Sequence, residues 1–523
     1  MNSTSLIAKK DSLYMIGVDI GTTSTKSVLF LQDGSILSTA HVEYPLYTPS
    51  ADIAEQDPED ILSAVIETIR RVMTESGAAP EQVIFVSFSS AMHSVIPVDA
   101  SGRPLMRGMT WADNRSAGWT DKLKRELGGH EIFLRTGTPI HPMSPLTKIL
   151  WMRHEEPDMF AQAAKFISIK EYVFLKLFGD YVIDYSMASC TGLFELEKLD
   201  WDQGALETAG ITADRLSKPV PTTHEMKGLS PVYAEQMGLL PDTSFIVGAT
   251  DGVLSNLGVN AIDPGVVAVT IGTSGAIRTV VDHPVIDPKG RIFCYALTDK
   301  LWVIGGPVNN GGVIFRWARD EFAASEVETA KRLGISPYDV LTKIAERVRP
   351  GSEGLLFHPY LAGERAPLWN PDARGSFFGL TLHHQKEHMI RAVLEGVIYN
   401  LYTVLLAMEE QIGQPTKIMA TGGFARSELW RQMMADIFDQ PVTVPESIES
   451  SCLGAVVLGL YATGRVDSLR VVADMVGSTH QHVPHKGHAV LYKELLPIFI
   501  RLSRKLEDEY ADLADFQRKH GSL

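Results

Sequence analysis

The chain has 523 residues, 45% hydrophobic and 21% charged, and its 48 Lys+Arg against 63 Asp+Glu give a net charge of −15. Such a length exceeds a single hydrophobic core and calls for roughly two to four domains, while the acidic balance disfavours nucleic acid and anionic membranes as partners. Three widely spaced cysteines, Cys190, Cys294 and Cys452, argue against a disulfide framework or a zinc site and fit a reducing compartment.

The first dozen residues are polar and carry Lys9 and Lys10, and the apolar run after them is cut by Asp19. No secretory signal and no apolar run of about 20 residues is read, so a cytoplasmic location is expected. Tyr14 to Phe30 then reads as strand, tight turn, strand, with Asp19, Gly21 and the hydroxyls Thr22, Thr23, Ser24 and Thr25 in the turn region. Gly21 lets backbone approach a ligand closely, Lys26 offers a cation, and Asp19 can serve a metal ion. An isolated Gly-Thr-Thr run is usually an ordinary polar turn, so the rest of the chain must decide. Ile36 to Leu46 reads as a third strand. Asp57-Pro58-Glu59-Asp60 is a strong helix start, followed by apolar residues at helical spacing from Ile61 to Met73. Gln82 to Phe88 is an apolar strand running into Ser89-Ser-Ala-Met-His93.

Helices are expected over Lys148–Met152 and Ile167–Phe178, and Phe245 to Thr250 reads as a strand delivering Asp251 at its end. Val266 to Val280 echoes the opening hairpin, with Ile271-Gly272-Thr273 matching Ile20-Gly21-Thr22 and Thr270 standing in place of Asp19. A repeated hairpin suggests two related domains, residues 1–258 and 259–523, facing one another across a cleft. Beyond it, Gly311-Gly312 opens a helix from Val313 to Glu321 whose free N-terminal amides would suit a phosphate or ribose. His388 to Glu409 reads as a long amphipathic helix. Ile418 to Ser427 reads as a strand and a glycine turn, Ser427 to Phe438 as a helix, and Cys452 to Ala462 as a small-residue helix in the core. Neither G-x-x-x-x-G-K-[ST] nor a well-placed G-x-G-x-x-G is found, so ATP would not be held by a P-loop or a dinucleotide fold.

This constellation resembles the FGGY carbohydrate kinases. The resemblance runs from about residue 14 to about residue 465 and rests on two long signatures: Met143-Ser-Pro-Leu-Thr-Lys148-Ile-Leu-Trp-Met152, which departs from the pattern at His154, and Gly375-Ser-Phe-Phe-Gly-Leu380 with His388-Met389 and Ala392-Val-Leu-Glu395. Within the family, Ser89–His93, Thr110–Arg115, Arg135–Pro142, Gly305–Gly312 and Leu361–Asn370 resemble the branch acting on gluconate. The resemblance implies an α/β fold of two actin/hexokinase/Hsp70-ATPase-like (ribonuclease H-like) domains with an inter-domain cleft. It also implies ATP-dependent phosphorylation of a small sugar acid, D-gluconate, at its terminal hydroxyl.

By family position Asp251 is the expected general base, consistent with its place at a strand end beside glycine. Asp19 would orient Mg²⁺ through water. Thr22, Thr23, Ser24, Lys26, Gly272 and Thr273 would contact phosphates, and Gly312, Arg316, Gly422, Gly423 and Ser427 would border ribose and adenine. Met92, His93, Trp111, Asp113, Asn114 and Arg115 would wall the sugar pocket, with Arg115, His93 and Lys170 as partners for a substrate carboxylate. Arg365 could instead form an inter-domain salt bridge. No nucleic-acid or membrane partner is expected, and a homodimer is compatible with these features. Two rivals stand: a kinase for a pentulose, glycerol or another polyol, and a non-catalytic actin-like ATP-binding scaffold or sensor.

Overall fold

A computed structural model describes residues 12–445, 449–477 and 479–520. The N-terminal stretch read for a secretory signal lies, up to residue 11, outside the described residues. The chain forms two compact units, one of residues 12–262, 280–303 and 449–477, the other of 263–279, 304–445 and 479–520.

The first unit is built on a mixed sheet ordered Glu225–Met226, Ser244–Thr250, Val83–Ser90, Tyr14–Ile20, Ser24–Leu31, Ile36–Glu43. The strand read as Ile36 to Leu46 stops at Glu43. Tyr14–Ile20 runs antiparallel to Ser24–Leu31 and parallel to Val83–Ser90, which is parallel to Ser244–Thr250. Helix Pro58–Ser76 covers one face. Its Asp57 cap accepts from Glu59 N at 3.0 Å, Pro58 needs no hydrogen-bond partner, and Gly77 closes it in the left-handed conformation. Ile61, Val65, Ile69 and Val72 are buried from it. Against the other side of this unit's core lies Ser450–Ala462, which sequence order places far away. Glycine explains its fit: a Cβ on Gly454 would stand 2.0 Å from Leu254 O, and one on Gly17 2.5 Å from Cys452 O. This helix is core, as its composition indicated.

The second unit repeats the plan. Val442–Pro445, Lys417–Thr421 and Val266–Ile271 are parallel neighbours, and Val266–Ile271 turns back antiparallel into Gly275–Val281, beside Trp302–Val308. The order of parallel strands and hairpin is that of the first unit, so the echo of Gly21 in Gly272 is a structural repeat. The helix read as His388 to Glu409 spans Lys386–Ile412 and is long and apolar enough to cross a bilayer. Yet 78% of its apolar 18-residue window is buried within the fold, and Arg391 and Glu395 form a buried ion pair at 2.7 Å. It is a core helix whose charges neutralise one another.

Candidate active site

Register gathers the acidic chemistry of the first unit. Asp19 aligns with Ser89, and Ser90 with Thr250, so Asp19, Ser89-Ser90 and Asp251 stand at the carboxyl ends of three adjacent parallel strands. Ligand sites in open α/β sheets form at such ends. Asp19 Oδ1 accepts from Ser89 Oγ at 2.7 Å and Oδ2 from Ser451 Oγ at 2.8 Å. The two hydroxyls fix the carboxylate while each of its oxygens retains acceptor capacity, an all-oxygen arrangement that fits Mg²⁺ and its waters.

The hairpin turn is braced on all sides. Gly21 N donates to Ser24 O at 2.9 Å, Tyr44 Oη to Gly21 O at 2.7 Å, and Gln56 Nε2 to Thr22 O at 2.6 Å. Trp111, expected only as a flat wall for the sugar, donates its Nε1–H to Thr22 Oγ1 at 2.9 Å and so ties the substrate segment to the phosphate turn. Thr23 is exposed and Ser24 half-buried. Lys26 is paired with Glu449 at 2.8 Å. Burial opposes its charge, but the hydrogen bond and charge of Glu449 carry its pKa above the ordinary lysine value.

Asp251 is the first residue of helix Asp251–Gly258, immediately after the strand, and its Oδ1 accepts from Gly252 N at 2.7 Å. Lys170, offered as a partner for a substrate carboxylate, is removed from that role. It is buried, pairs with Asp184 at 2.6 Å and donates to Val247 O and Ala249 O. Its charge is matched by Asp184, and its two hydrogen bonds brace the strand that delivers Asp251.

The expected sugar wall is assembled by local bonds. Asp113, fully buried, accepts from Ala54 N and from the Arg115 side chain. Arg115 also pairs with Glu55 at 2.7 Å and stacks 5.0 Å from the Trp151 ring. Its charge is therefore already balanced by two carboxylates. Asn114 is exposed, Met92 half-buried. His93 sits in the left-handed region at φ 69°, its Nδ1 2.8 Å from Cys190 O. Lys148, from the first signature, donates to His93 O at 2.9 Å and to Met143 O at 2.6 Å. Complete burial pulls the Lys148 pKa down to about 7, with Asp113 opposing that fall.

The second unit holds a cavity of about 480 Å³ lined by Gly272, Thr273, Gly312, Arg316, Gly423 and Ser427, all expected to meet a nucleotide. That volume suits a small-molecule ligand. Gly422, the residue before cavity-lining Gly423, has φ +105°, and a Cβ there would lie 2.3 Å from Ile271 O, so only glycine fits. Ser427 caps the next helix, accepting from Trp430 N at 3.2 Å. One expectation is corrected: the first amides of helix Gly312–Phe322 are not open. Gly312 N donates to Gly272 O at 2.7 Å and Val313 N to Thr273 O at 3.1 Å. They fasten the helix to the turn, and glycine at 312 permits the approach because a Cβ there would be 2.6 Å from Gly272 O.

Sequence reading missed Ser336, Tyr338, Asp339 and Thr342, which line the same cavity from helix Pro337–Ala345. The Ser336-Pro337 helix start signalled the element but not its neighbour. It also missed buried Glu364, which accepts from Asn309 N, Asn310 Nδ2 and Asn400 Nδ2 at 2.6, 2.8 and 2.6 Å and holds the loop before Gly312. Arg365, considered for an inter-domain bridge, is buried and donates to Val308 O within the second unit.

A carboxylate pair on parallel strand ends, a repeated Gly-Thr hairpin and a glycine-lined cavity define a phosphoryl-transfer fold of actin/hexokinase type. Residues 14–258 match the model of the N-terminal domain, and 267–463 that of the C-terminal domain, of the FGGY family of carbohydrate kinases. The chain belongs to that family. It is 64% identical over 507 residues, 97% of this chain and 98% of the relative, to the Gluconokinase of Bacillus subtilis (strain 168). Among solved structures it is similar to the gluconate kinase from Lactobacillus acidophilus, at 38% identity and TM-score 0.91, covering 96% of this chain and 100% of that one. A ligand-bound xylulose kinase from the same organism matches equally, at 38% and 0.91, over 96% and 99%.

Proposed function

We propose that this protein phosphorylates D-gluconate at its terminal hydroxyl with ATP, giving 6-phosphogluconate and ADP in the cytoplasm. The observation that carries the reading is Asp251 at the carboxyl end of the strand two places from Asp19's, in a chain 64% identical to a gluconokinase. In this reading the half 259–523 binds the nucleotide: its cavity takes the adenosine, with Gly312, Arg316, Gly422, Gly423 and Ser427 at its border and Gly272-Thr273 at the phosphates. The half 1–258 supplies Asp19, the hydroxyls Thr22 to Ser24 and the acceptor site. Lys26 serves the phosphates only by exchanging its bond to Glu449.

Phosphoryl transfer asks mainly for positioning and charge neutralisation. Asp251 accepts the proton of the attacking hydroxyl as its oxygen bonds to the γ-phosphorus and the bond to the β-phosphate oxygen breaks. Asp19 would hold Mg²⁺ through water, and the ion when bound neutralises charge on the phosphate oxygens. Trp111, Asp113, Asn114 and Arg115, with Met92 and His93, position the acceptor.

A second reading has its own support. Arg115 is balanced by Asp113 and Glu55, an environment suited to hydroxyls as well as to a carboxylate, which favours a neutral pentulose. ADP release measured with gluconate, xylulose, ribulose, glycerol and no sugar separates the two. Turnover with gluconate alone is expected; xylulose turning over while gluconate fails would transfer the assignment to the pentulose.

A further inference from the structure

We infer that the second unit carries a divalent transition-metal site at Asp436, His485 and His488, distinct in chemistry and residues from the Mg²⁺ position at Asp19. The three residues come from two elements. Asp436 lies in the last turn of helix Glu428–Phe438, and His485 and His488 cap and begin helix Lys486–Lys505. Their ligand atoms all lie within 4.8 Å of one another. His488 Nδ1 is 2.8 Å from Asp436 Oδ2, and His485 Nδ1 is 3.3 Å from Oδ1 and 3.5 Å from Oδ2. Bonds of about 2.0–2.1 Å around a tetrahedral zinc ion put neighbouring ligand atoms about 3.3 Å apart. Both Asp436–histidine distances therefore lie within about half an ångström of that spacing.

Burial orders the ligands. Asp436 is 5% exposed and held by Gln432 Nε2 at 2.9 Å and His485 N at 2.8 Å, while the imidazoles reach solvent and leave an open side for water. A carboxylate oriented by hydrogen bonds from outside the cluster is how metal ligands are usually positioned. The donor set also selects the ion. Two imidazoles and one carboxylate suit zinc, nickel or copper, whereas Mg²⁺ demands oxygen. The low cysteine count excludes a thiolate site but not one built from imidazole.

A second histidine group, Glu353, His383 and His388, has similar spacing. There His383 Nε2 is 2.6 Å from Glu353 Oε2, but His388 Nδ1 accepts from Gln385 N at 3.1 Å, so the His388 Nε2 carries the proton and that ring offers a metal nothing. That group serves as the control.

The test uses the full chain without a histidine tag, stripped with chelator and equilibrated with equimolar Zn²⁺ in the absence of nucleotide. One zinc per chain by elemental analysis is expected, retained in His383→Ala and lost in His485→Ala/His488→Ala. Asp436→Asn should weaken binding by about 10-fold or more. Unchanged kinase turnover in the double variant shows that it folds. Less than half a zinc per wild-type chain, undiminished zinc in the double variant, or equal loss in His383→Ala would overturn the site.

Discussion

At the scale of single residues, Asp251 and Lys148 carry the sharpest expectations. Asp251→Asn keeps its size and can still bond Gly252 N, but it cannot take a proton. ATP binding should persist by calorimetry while kcat falls on the order of 10²- to 10⁴-fold; near-normal turnover would remove it from the base role. Lys148 gives a signed pH prediction. Its folded pKa of about 7 lies below the ordinary 10.5. Between those values the unfolded chain holds a proton that the folded chain has lost, so this residue's contribution to stability rises with pH across that window. Below it both states are protonated and the contribution is flat. Lys148→Met should remove that rise, read as the difference in Tm between variant and parent across the same range. Because Lys148 bonds His93 O, the variant should also raise KM for the sugar more than for ATP.

Elements succeed or fail here through close backbone approach. Helix Ser450–Ala462 seats against helix Asp251–Gly258 only because neither carries bulk at the crossing: a Cβ on Gly454 would be 2.0 Å from Leu254 O, and one on Gly258 1.8 Å from Ser450 O. Gly454→Val should cost about 1–3 kcal/mol or more through overpacking, seen as a lower Tm, and reduce kcat by displacing Asp251's helix. An unchanged Tm would mean that the crossing is looser than described. In the second unit, Tyr338 lies 5.1 Å from the Phe315 ring on the cavity wall. Removing its ring in Tyr338→Ala should raise KM for ATP about 3- to 10-fold with kcat little changed, the size of one aromatic contact.

For the molecule as a whole, the proposed seat of the nucleotide in a preformed cavity of the second unit predicts that ATP binds without sugar. ATP at 100 times its Kd should stabilise the protein by about 2.7 kcal/mol in the absence of acceptor. Asp251→Asn should show the same gain by thermal denaturation, and a variant with its cavity blocked, such as Gly423→Val, whose Cβ would meet no neighbour within 4 Å, should show none.

The residue string by itself determined the hairpins, the capped helices and the chemistry at their turns. Those signals are local: glycine where φ is positive, Asp-Pro at a helix start, alternating or helical burial over one element. It also exposed the family through two signatures, and with it the roles proposed for Asp19 and Asp251. What only the tertiary structure decided is which polar groups spend their bonds on one another. Lys170 reads as an available cation until Asp184, Val247 and Ala249 arrive from elsewhere in the chain. Gly312 reads as an open helix end until the 272–273 turn fills it. Tyr338 and Glu364 carry no local mark of function, and Ser450–Ala462 crosses some two hundred intervening residues to pack beside Asp251. Pairing over such separations depends on sheet register and packing, which periodicity within one element does not encode.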